Sequence, residues 1–399
     1  MKKQILILGA GFGGVWSALG AARLLELHGR SDVQITVIAP QPELRIRPRF
    51  YQPDVHAMTA PLAELFDAVG IKFVQGTVDA IDALNKHVKY SAGRGIHSWL
   101  NYDKLILATG SRLNRPNVQG IEHTFDVDEI ETATVLEKHI KALGNQPDTE
   151  ARNTVVICGG GFTGIETATE MPPRLRAALG QDTKINVIVV DQGSKIGAAM
   201  GEEISTSIAQ ACAELNIEWC LNATVTAIDP NGVTLADGRR IESKTVIWTV
   251  GVHASPLTEQ IDGERDSQGR LHVDPELKVL GHDDIYAAGD VAHAATDDIG
   301  NVAVMSCQHA LLLGRHAGNN AAAALLGVPA TAYSQPKYVT CLDLGEWGAV
   351  FTEGWDRQVK LVKEQAKQLK HTINSVRMYP PIPDRAVALA AADPLISIS

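Results

Sequence analysis

The 399-residue sequence predicts an α/β protein that builds one strand–turn–helix unit twice. The spacing GxGxxG occurs in ILILGAGFGG (Ile5–Gly14) and again in VVICGGGFTG (Val155–Gly164). Each copy follows a short apolar run and precedes a segment of helical periodicity, which is the order that a phosphate-holding turn requires. We therefore predict two Rossmann-like dinucleotide-binding domains and a small C-terminal segment with strands and a terminal helix.

Bulk composition narrows the functional classes. The formal net charge of −10 argues against nonspecific binding of nucleic acid by the surface as a whole. No apolar run approaches the roughly 18 residues of a membrane-spanning helix. MKKQ leads directly into a strand, so we expect no signal peptide and a cytoplasmic location. The five cysteines form no CxxC pair, so neither a zinc site nor a dithiol motif is indicated, and no metal is expected.

The first glycine unit has most of the parts of a dinucleotide site. Its first glycine permits a tight turn, the second lets a pyrophosphate approach the backbone, and the third lets helix and strand pack closely. The closing strand VQITVIA usually ends on an acid for the adenosine ribose, but here Ala39 and Pro40 follow. We therefore expect ribose contacts from the backbone at Ala39 or from Gln41. The predicted glycine contacts are Gly9, Gly11, Gly13 and Gly14.

The second glycine unit also has the ribose acid. Its closing strand, KINVIVVD, ends on Asp191. A carboxylate there accepts hydrogen bonds from the ribose hydroxyls and repels the 2′-phosphate of NADPH, so the unit reads as an NADH site. The alternative is a glycine turn that binds nothing. The predicted contacts are Gly159, Gly161, Gly164 and Asp191.

Three further strand ends accompany the two units. YDKLILATGSR (Tyr102–Arg112) ends a strand on Ala-Thr-Gly, KTVIWTVGVHASP (Lys244–Pro256) is its counterpart, and DDIYAAGDVA (Asp283–Ala292) ends a strand on Gly-Asp. The candidate cofactor contacts in these segments are Ala108, Thr109, Gly110, Gly251, Gly289 and Asp290.

This ordered set resembles the two-dinucleotide-fold flavoprotein reductases. The resemblance implies FAD in the first fold, NADH in the second, and Asp290 near the ribityl and phosphate region of the flavin. Because DDIYAAGD returns to the first fold, we expect that fold to be split by the second. The expected boundaries are 1–125 and 278–330 for the FAD-binding domain, 126–277 for the NADH-binding domain and 331–399 for the C-terminal segment.

Three local segments resemble the type II NADH dehydrogenases: GGGFTGIE with Glu166, VIWTVGVHASP with Trp248, and CQHALLLG with Gln308. The resemblance implies that Glu166 and Gln308 are catalytic and that electrons pass to a quinone. Leu312 replaces the second glutamine of the family segment, which removes two donors and one acceptor from that pocket. The alternative for Glu166 is an ordinary acid on a helix face.

Other functions stay open at the level of sequence. One is an FAD-dependent NADH reductase of oxygen, a small redox metabolite or an electron-transfer protein. A sulfide:quinone variant would use Cys307 and Cys341. A third is a flavin-holding scaffold or redox sensor without enzymatic activity. Disulfide reductases are excluded because no cysteine precedes Cys158.

Two segments near the predicted sites carry no settled role. Arg45, Arg47 and Arg49 either face an anionic flavin or acceptor, or are solvated surface residues. The PPR stretch at Pro172–Arg174 is expected to interrupt the helix after the second glycine motif.

The C-terminal segment is expected to begin with strands in KYVTCLDLGEWGAVFTEGW and to continue as a basic amphipathic helix within residues 355–381. Such a helix can lie on an anionic membrane, or its apolar stripe can pack on the protein core with the lysines in water. We expect a soluble or loosely peripheral protein, on the cytoplasmic face of the membrane, with a homodimer also open. The stripe is Val359, Val362, Ala366, Leu369, Ile373 and Val376, and its cations are Lys360, Lys363, Lys367, Lys370 and Arg377.

Overall fold

The computed structural model describes residues 2–93 and 95–397. Its first sheet has five parallel strands, and all four residues Ile5–Leu8 of the central strand are completely buried. Helices cover both faces of such a sheet, which explains the continuous apolar runs. The strands in spatial order are β20 (Ile285–Ala287), β9 (Lys104–Leu107), β1 (Lys3–Leu8), β2 (Val33–Ala39) and β5 (Lys72–Gln75).

Two helices of the first fold touch backbone to backbone. They are α1 (Phe12–Leu27) and α7 (Cys307–Leu326). The shorter helix α2 (Ala63–Val69) precedes β5. A Cβ on Gly318 would lie 1.9 Å from the Ser17 carbonyl oxygen. Only glycine therefore fits at this crossing, which fixes the start of α7 beside the first glycine turn.

The second sheet repeats the parallel pattern with four strands. Their spatial order is β13 (Ile217–Cys220), β12 (Asn186–Val190), β11 (Thr154–Cys158) and β17 (Thr245–Trp248). Its helices are α3 (Ile130–Ala142), α4 (Glu150–Asn153), α5 (Phe162–Leu179) and α6 (Glu202–Glu214). A three-stranded antiparallel sheet of β14 (Val225–Asp229), β15 (Gly232–Leu235) and β16 (Arg240–Glu242) accompanies it.

The first fold is interrupted by the second, as predicted. Strand β20 follows the whole second sheet in the chain, yet Tyr286 pairs in parallel with Ile106 of β9. The remaining strands of these two parts are β3 (Glu43–Arg45), β4 (Thr59–Pro61), β6 (Thr77–Asp82), β7 (His87–Ser91), β8 (His97–Asn101), β10 (Ser111–Leu113), β18 (Val252–Ala254), β19 (Leu271–His272) and β21 (Ala292–His293).

The predicted break at Pro172–Arg174 is wrong, because α5 continues through both prolines to Leu179. Proline removes one helical hydrogen bond and crowds the preceding turn. Here the surrounding face, including Met171 and Leu175, is fully buried, and this packing holds the helix together. Pro173 has no N–H to donate to the Thr169 carbonyl, which instead faces the backbone of Gly345. A Cβ on Gly345 would lie 2.3 Å from the Thr169 carbonyl oxygen.

The C-terminal part forms its own antiparallel sheet. Its strands are β22 (Val339–Asp343), β23 (Ala349–Glu353) and β24 (Gln358–Val362), and the first two confirm the predicted strands. Helix α8 (Lys363–Thr372), a π-helical turn (Ile373–Arg377) and α9 (Arg385–Ala391) follow. The prediction of one helix across residues 355–381 is therefore wrong at its start, because 358–362 alternate across a sheet.

The predicted apolar stripe is divided between these elements. Ala366 is completely buried against the protein's own core, whereas Val376 remains 64% exposed. The expectation that the lysines face water is also wrong for Lys370, which is buried in an ion pair. Within residues 2–93 and 95–397, no helix is both long and apolar enough to cross a bilayer.

Candidate active site

The two glycine turns have the same geometry. Gly9 and Gly159 share a φ of +107°, and each donates its N–H to a carbonyl near the end of the neighbouring strand, that of Ile38 and that of Val190. A Cβ on Gly14 would lie 1.9 Å from the Gly9 carbonyl oxygen, and the Gly164–Gly159 pair repeats that distance. The first and third glycines therefore close the turn against its helix.

The middle glycine of each motif has a different environment. A Cβ on Gly11 or on Gly161 would meet no atom within 4 Å. The backbone at these two positions is thus open to a ligand, and each residue immediately precedes a helix whose N-terminal dipole favours an anion. Gly13 differs, because a Cβ there would lie 3.1 Å from the Ala288 carbonyl oxygen.

Asp191 lies where the sequence predicts, directly after β12. Its carboxylate accepts the N–H groups of Gly160 and Gly193, each at 2.7 Å. The Trp219 ring borders the same turn: a Cβ on Gly160 would be 2.7 Å from it. Two backbone bonds thus fix the carboxylate beside the second motif, and its remaining lone pairs can accept ribose hydroxyls.

The corresponding end of β2 presents amides. Ala39 is buried, and its carbonyl accepts the Gly76 N–H at 2.9 Å. The Gln75 side-chain amide donates to the carbonyl of Pro40 at 3.0 Å and to the Gln41 side chain at 3.3 Å. The polar groups at this end are therefore neutral, and Gln75 was not recognised from the sequence.

Asp290 forms a small polar cluster with two other elements. Its carboxylate accepts the Ser111 hydroxyl at 2.6 Å, and the Arg47 guanidinium lies 3.8 Å away. Burial raises the pKa of the Asp290 carboxyl, while Ser111 and Arg47 oppose the increase. Arg47 also donates to Ser111 and pairs with Asp128, so it is committed to this cluster.

The two other arginines of the loop are partly buried and contact other parts of the chain. Arg45 is partly buried in an ion pair with Glu131 at 2.8 Å. Arg49 donates to the Asn374 carbonyl and the Tyr379 hydroxyl, both at 3.3 Å. The loop therefore attaches the first fold to the C-terminal part of the chain.

Glu166 is buried in an ion pair that the sequence did not reveal. Its Oε1 accepts the Lys370 ammonium at 2.7 Å and the Asp343 N–H at 3.0 Å. Burial raises the pKa of the Glu166 carboxyl, and the negative charge of Glu166 raises that of Lys370 despite its burial. The pair is separated by 204 residues, so no local spacing could have predicted it.

The network continues from Asp343. Its carboxylate accepts the Tyr51 hydroxyl at 3.2 Å and pairs with Lys367, while Glu170 lies one helical turn beyond Glu166 on α5. Burial raises the pKa of Glu170 to about 6. Elements from all three parts of the chain therefore contribute ionisable groups to one buried junction.

Gln308 lies in the first turn of α7, next to this junction. Lys370 is close enough to Cys307 to lower the pKa of its thiol, although burial dominates and raises it to about 11. Burial likewise raises the pKa of Cys341 to about 11. At these pKa values both thiols are protonated at neutral pH.

The residues fit the expected FAD on two observations. The backbone at Gly11 is open, and two buried side-chain atoms, Thr109 Oγ1 and Gln308 Oε1, have no hydrogen-bond partner within the described part of the chain. Buried polar atoms are rarely left without partners in proteins. Thr109 follows the end of β9, and Gln308 lies in the first turn of α7.

Comparison with known proteins extends these observations. The family described as pyridine nucleotide-disulphide oxidoreductase matches residues 3–314. An NADH dehydrogenase-like protein of Mycobacterium tuberculosis is 42% identical over 401 residues, covering 98% of this chain and 98% of the relative. A type II NADH:quinone oxidoreductase of the same organism is 30% identical over 326 residues, covering 73% of this chain and 66% of the relative.

A solved structure shows the same architecture. NDH2 from Plasmodium falciparum in complex with NADH aligns with a TM-score of 0.79 over 98% of both chains, at 15% identity. At that identity the likeness concerns the fold alone. The predicted α/β fold with two dinucleotide-binding units is thereby confirmed.

Proposed function

This chain belongs to the pyridine nucleotide-disulphide oxidoreductase family, and we propose that it reduces a quinone with electrons from NADH. The predicted resemblance to the type II NADH dehydrogenases is confirmed by the relatives. The enzyme is thus an FAD-dependent NADH dehydrogenase. The quinone acceptor and the residues that serve it are proposals.

We propose that residues 1–125 and 278–330 hold FAD and that 126–277 hold NADH. The open backbone at Gly11 and Gly161 supports both assignments, because each offers a helix N-terminus to a pyrophosphate. Asp191 supports NADH rather than NADPH in the second site, as its charge opposes a 2′-phosphate. When bound, FAD accepts a hydride from NADH and passes two electrons to the acceptor.

The observation that carries the quinone proposal is the buried Glu166–Lys370 pair beside the start of α7. Reduction of a quinone requires protons as well as electrons. Glu166 has a raised pKa and Lys370 is an ammonium donor, so the pair holds a proton at the Oε1–Nζ contact. Gln308, one residue from Cys307, would orient the acceptor's oxygen through its amide.

The second candidate is reduction of a different acceptor, and Leu312 is the observation that favours it. Its side chain is buried on α7 at the position where the family carries a second glutamine. The test is anaerobic addition of NADH to the FAD-loaded protein, followed by a panel of quinones, oxygen and electron-transfer proteins. Bleaching by NADH with reoxidation by quinones supports the proposal. Bleaching of the flavin by NADH without reoxidation by any quinone would instead support the second candidate function.

We also propose only loose contact with a membrane. Ala366 and Lys370 are buried, so α8 packs against the protein and itself offers little apolar surface to a bilayer. Short-chain quinones should therefore be reduced more readily than long-chain ones. Sedimentation with anionic vesicles at low and high salt tests this, and salt-resistant binding would contradict it.

A further inference from the structure

The turn between β23 and β24 lies against the second dinucleotide fold, although it belongs to the C-terminal sheet. This hairpin turn, residues 354–357, approaches the starts of two helices. The Arg357 guanidinium carbon is 5.6 Å from the centre of the Phe162 ring, at the start of α5. A Cβ on Gly201, which precedes α6, would lie 3.7 Å from the Asp356 carbonyl oxygen.

The hairpin turn is held in one conformation. Arg357 donates its N–H to the Gly354 carbonyl at 3.0 Å, and Gly354 donates to the Tyr338 carbonyl at 2.9 Å. The rings of Tyr338 and Trp355 stack with centroids 4.5 Å apart. Arg357 has a φ of +54°, a left-handed conformation that is uncommon for residues other than glycine.

The position of Phe162 shows that the hairpin turn approaches the second glycine motif. It is the first residue of α5 and directly follows Gly161, whose backbone is open to a ligand. The first turn of α5 contains no acidic residue. An anion at this helix start would be favoured by the helix dipole, and a guanidinium matches the geometry of phosphate oxygens.

We propose that Arg357 binds the pyrophosphate of NADH from the C-terminal hairpin turn. The inference rests on the proposed NADH site at Gly161 and extends it to a residue outside the 3–314 family match. The nicotinamide site is then built from two parts of the chain. Glycines of the second fold supply one side, and a cation of the C-terminal sheet supplies the other.

The test uses the FAD-loaded full-length enzyme and two probes, ADP-ribose and adenosine, measured by titration calorimetry. Arg357→Gly removes the side chain and accepts the left-handed backbone, so the hairpin turn is not strained. Arg357→Lys keeps the charge. Lys360→Ala removes one positive charge from the same hairpin, on the exposed side of β24, and is the matched control.

We expect Arg357→Gly to weaken ADP-ribose binding about ten-fold while adenosine binding changes less than two-fold. Arg357→Lys should lose less than Arg357→Gly, and Lys360→Ala should stay within two-fold of wild type. Unchanged ADP-ribose binding in Arg357→Gly, or an equal loss for adenosine, overturns the inference. If NADH fails to bleach the flavin of the wild-type enzyme, the proposed function fails as well, which is a separate result.

Discussion

Helices α1 and α5 begin with the same glycine turn and then face different neighbours. Gly20 of α1 packs so closely on α7 that a Cβ would lie 2.5 Å from the Arg315 carbonyl oxygen. The same position after the second motif is Glu170, and Trp16 in α1 corresponds to Glu166 in α5. One turn is thus followed by an apolar, close-packed helix, and the other by carboxylates.

The helices that follow the two glycine turns contact different parts of the chain. In the first unit the helix face is sealed by another helix, which suits a cofactor that stays bound. In the second unit the equivalent helix face forms hydrogen bonds with Lys370 and Asp343 of the C-terminal part. Under the proposed function, the repeated turn positions a dinucleotide in each unit, and the residues after the turn decide whether ionisable groups lie beside it.

The largest expected effect tests the charged face of α5. Glu166→Gln removes the carboxylate from Lys370 and should lower turnover with a quinone about 100-fold, because the proton of the pair is lost. Bleaching of the flavin by NADH should change much less. Stopped-flow measurement of the two half-reactions distinguishes them, with Glu170→Gln as the control one turn further on. Equal turnover in Glu166→Gln and wild type would contradict the role.

The next prediction tests whether the two turns serve separate cofactors. Gly161→Ala should raise the KM for NADH roughly 30-fold, about 2 kcal/mol, with normal FAD content, since only a ligand occupies the space of the new methyl. Gly11→Ala should instead reduce the FAD content. The ratio of flavin to protein and steady-state kinetics measure both. Loss of FAD in Gly161→Ala would show that the turns are not independent.

A smaller effect is expected from the strand ends, where the first fold has Ala39 and the second has Asp191. Asp191→Ala should lower the ratio of the specificity constant for NADH to that for NADPH about ten-fold, because the repulsion of the 2′-phosphate disappears. Specificity constants for the two nucleotides measure the change. A wild-type enzyme that prefers NADPH would refute the assignment.

The smallest effect concerns stability. Burial raises the pKa of the Glu170 carboxyl to about 6. Ionisation of Glu170 is therefore less favourable in the folded state than in the unfolded state. The stability linked to this group is fully present below the ordinary pKa of about 4.5 and is lost as pH rises through the folded pKa of about 6. Glu170→Gln should therefore be more stable than wild type by about 1 kcal/mol at pH 7.5, and not at pH 4. Denaturant unfolding at both pH values tests this, and an equal difference at each would contradict it.

Local spacing predicted the parts of the site that are local. Gly9, Gly159 and Asp191 lie where their motifs place them, because turn geometry depends on a few consecutive residues. The Glu166–Lys370 contact could not be predicted, since it joins elements that meet only after the C-terminal sheet has formed. The helix predicted to include residues 358–362 failed because apolar residues were counted at intervals of three and four. The alternation in QVKLV, with Val359 and Leu361 facing inward, was the available signal.

The return of β20 to the first sheet has a consequence for synthesis on the ribosome. Leu105 pairs with Ile285, so the first sheet cannot be completed until a residue 180 positions after Leu105 has been made. The second sheet closes earlier, when β17 emerges and pairs with β11. We therefore expect the second fold to form first, while the incomplete first sheet has an unpaired strand edge. The nascent chain is then most vulnerable to aggregation before residue 287 appears.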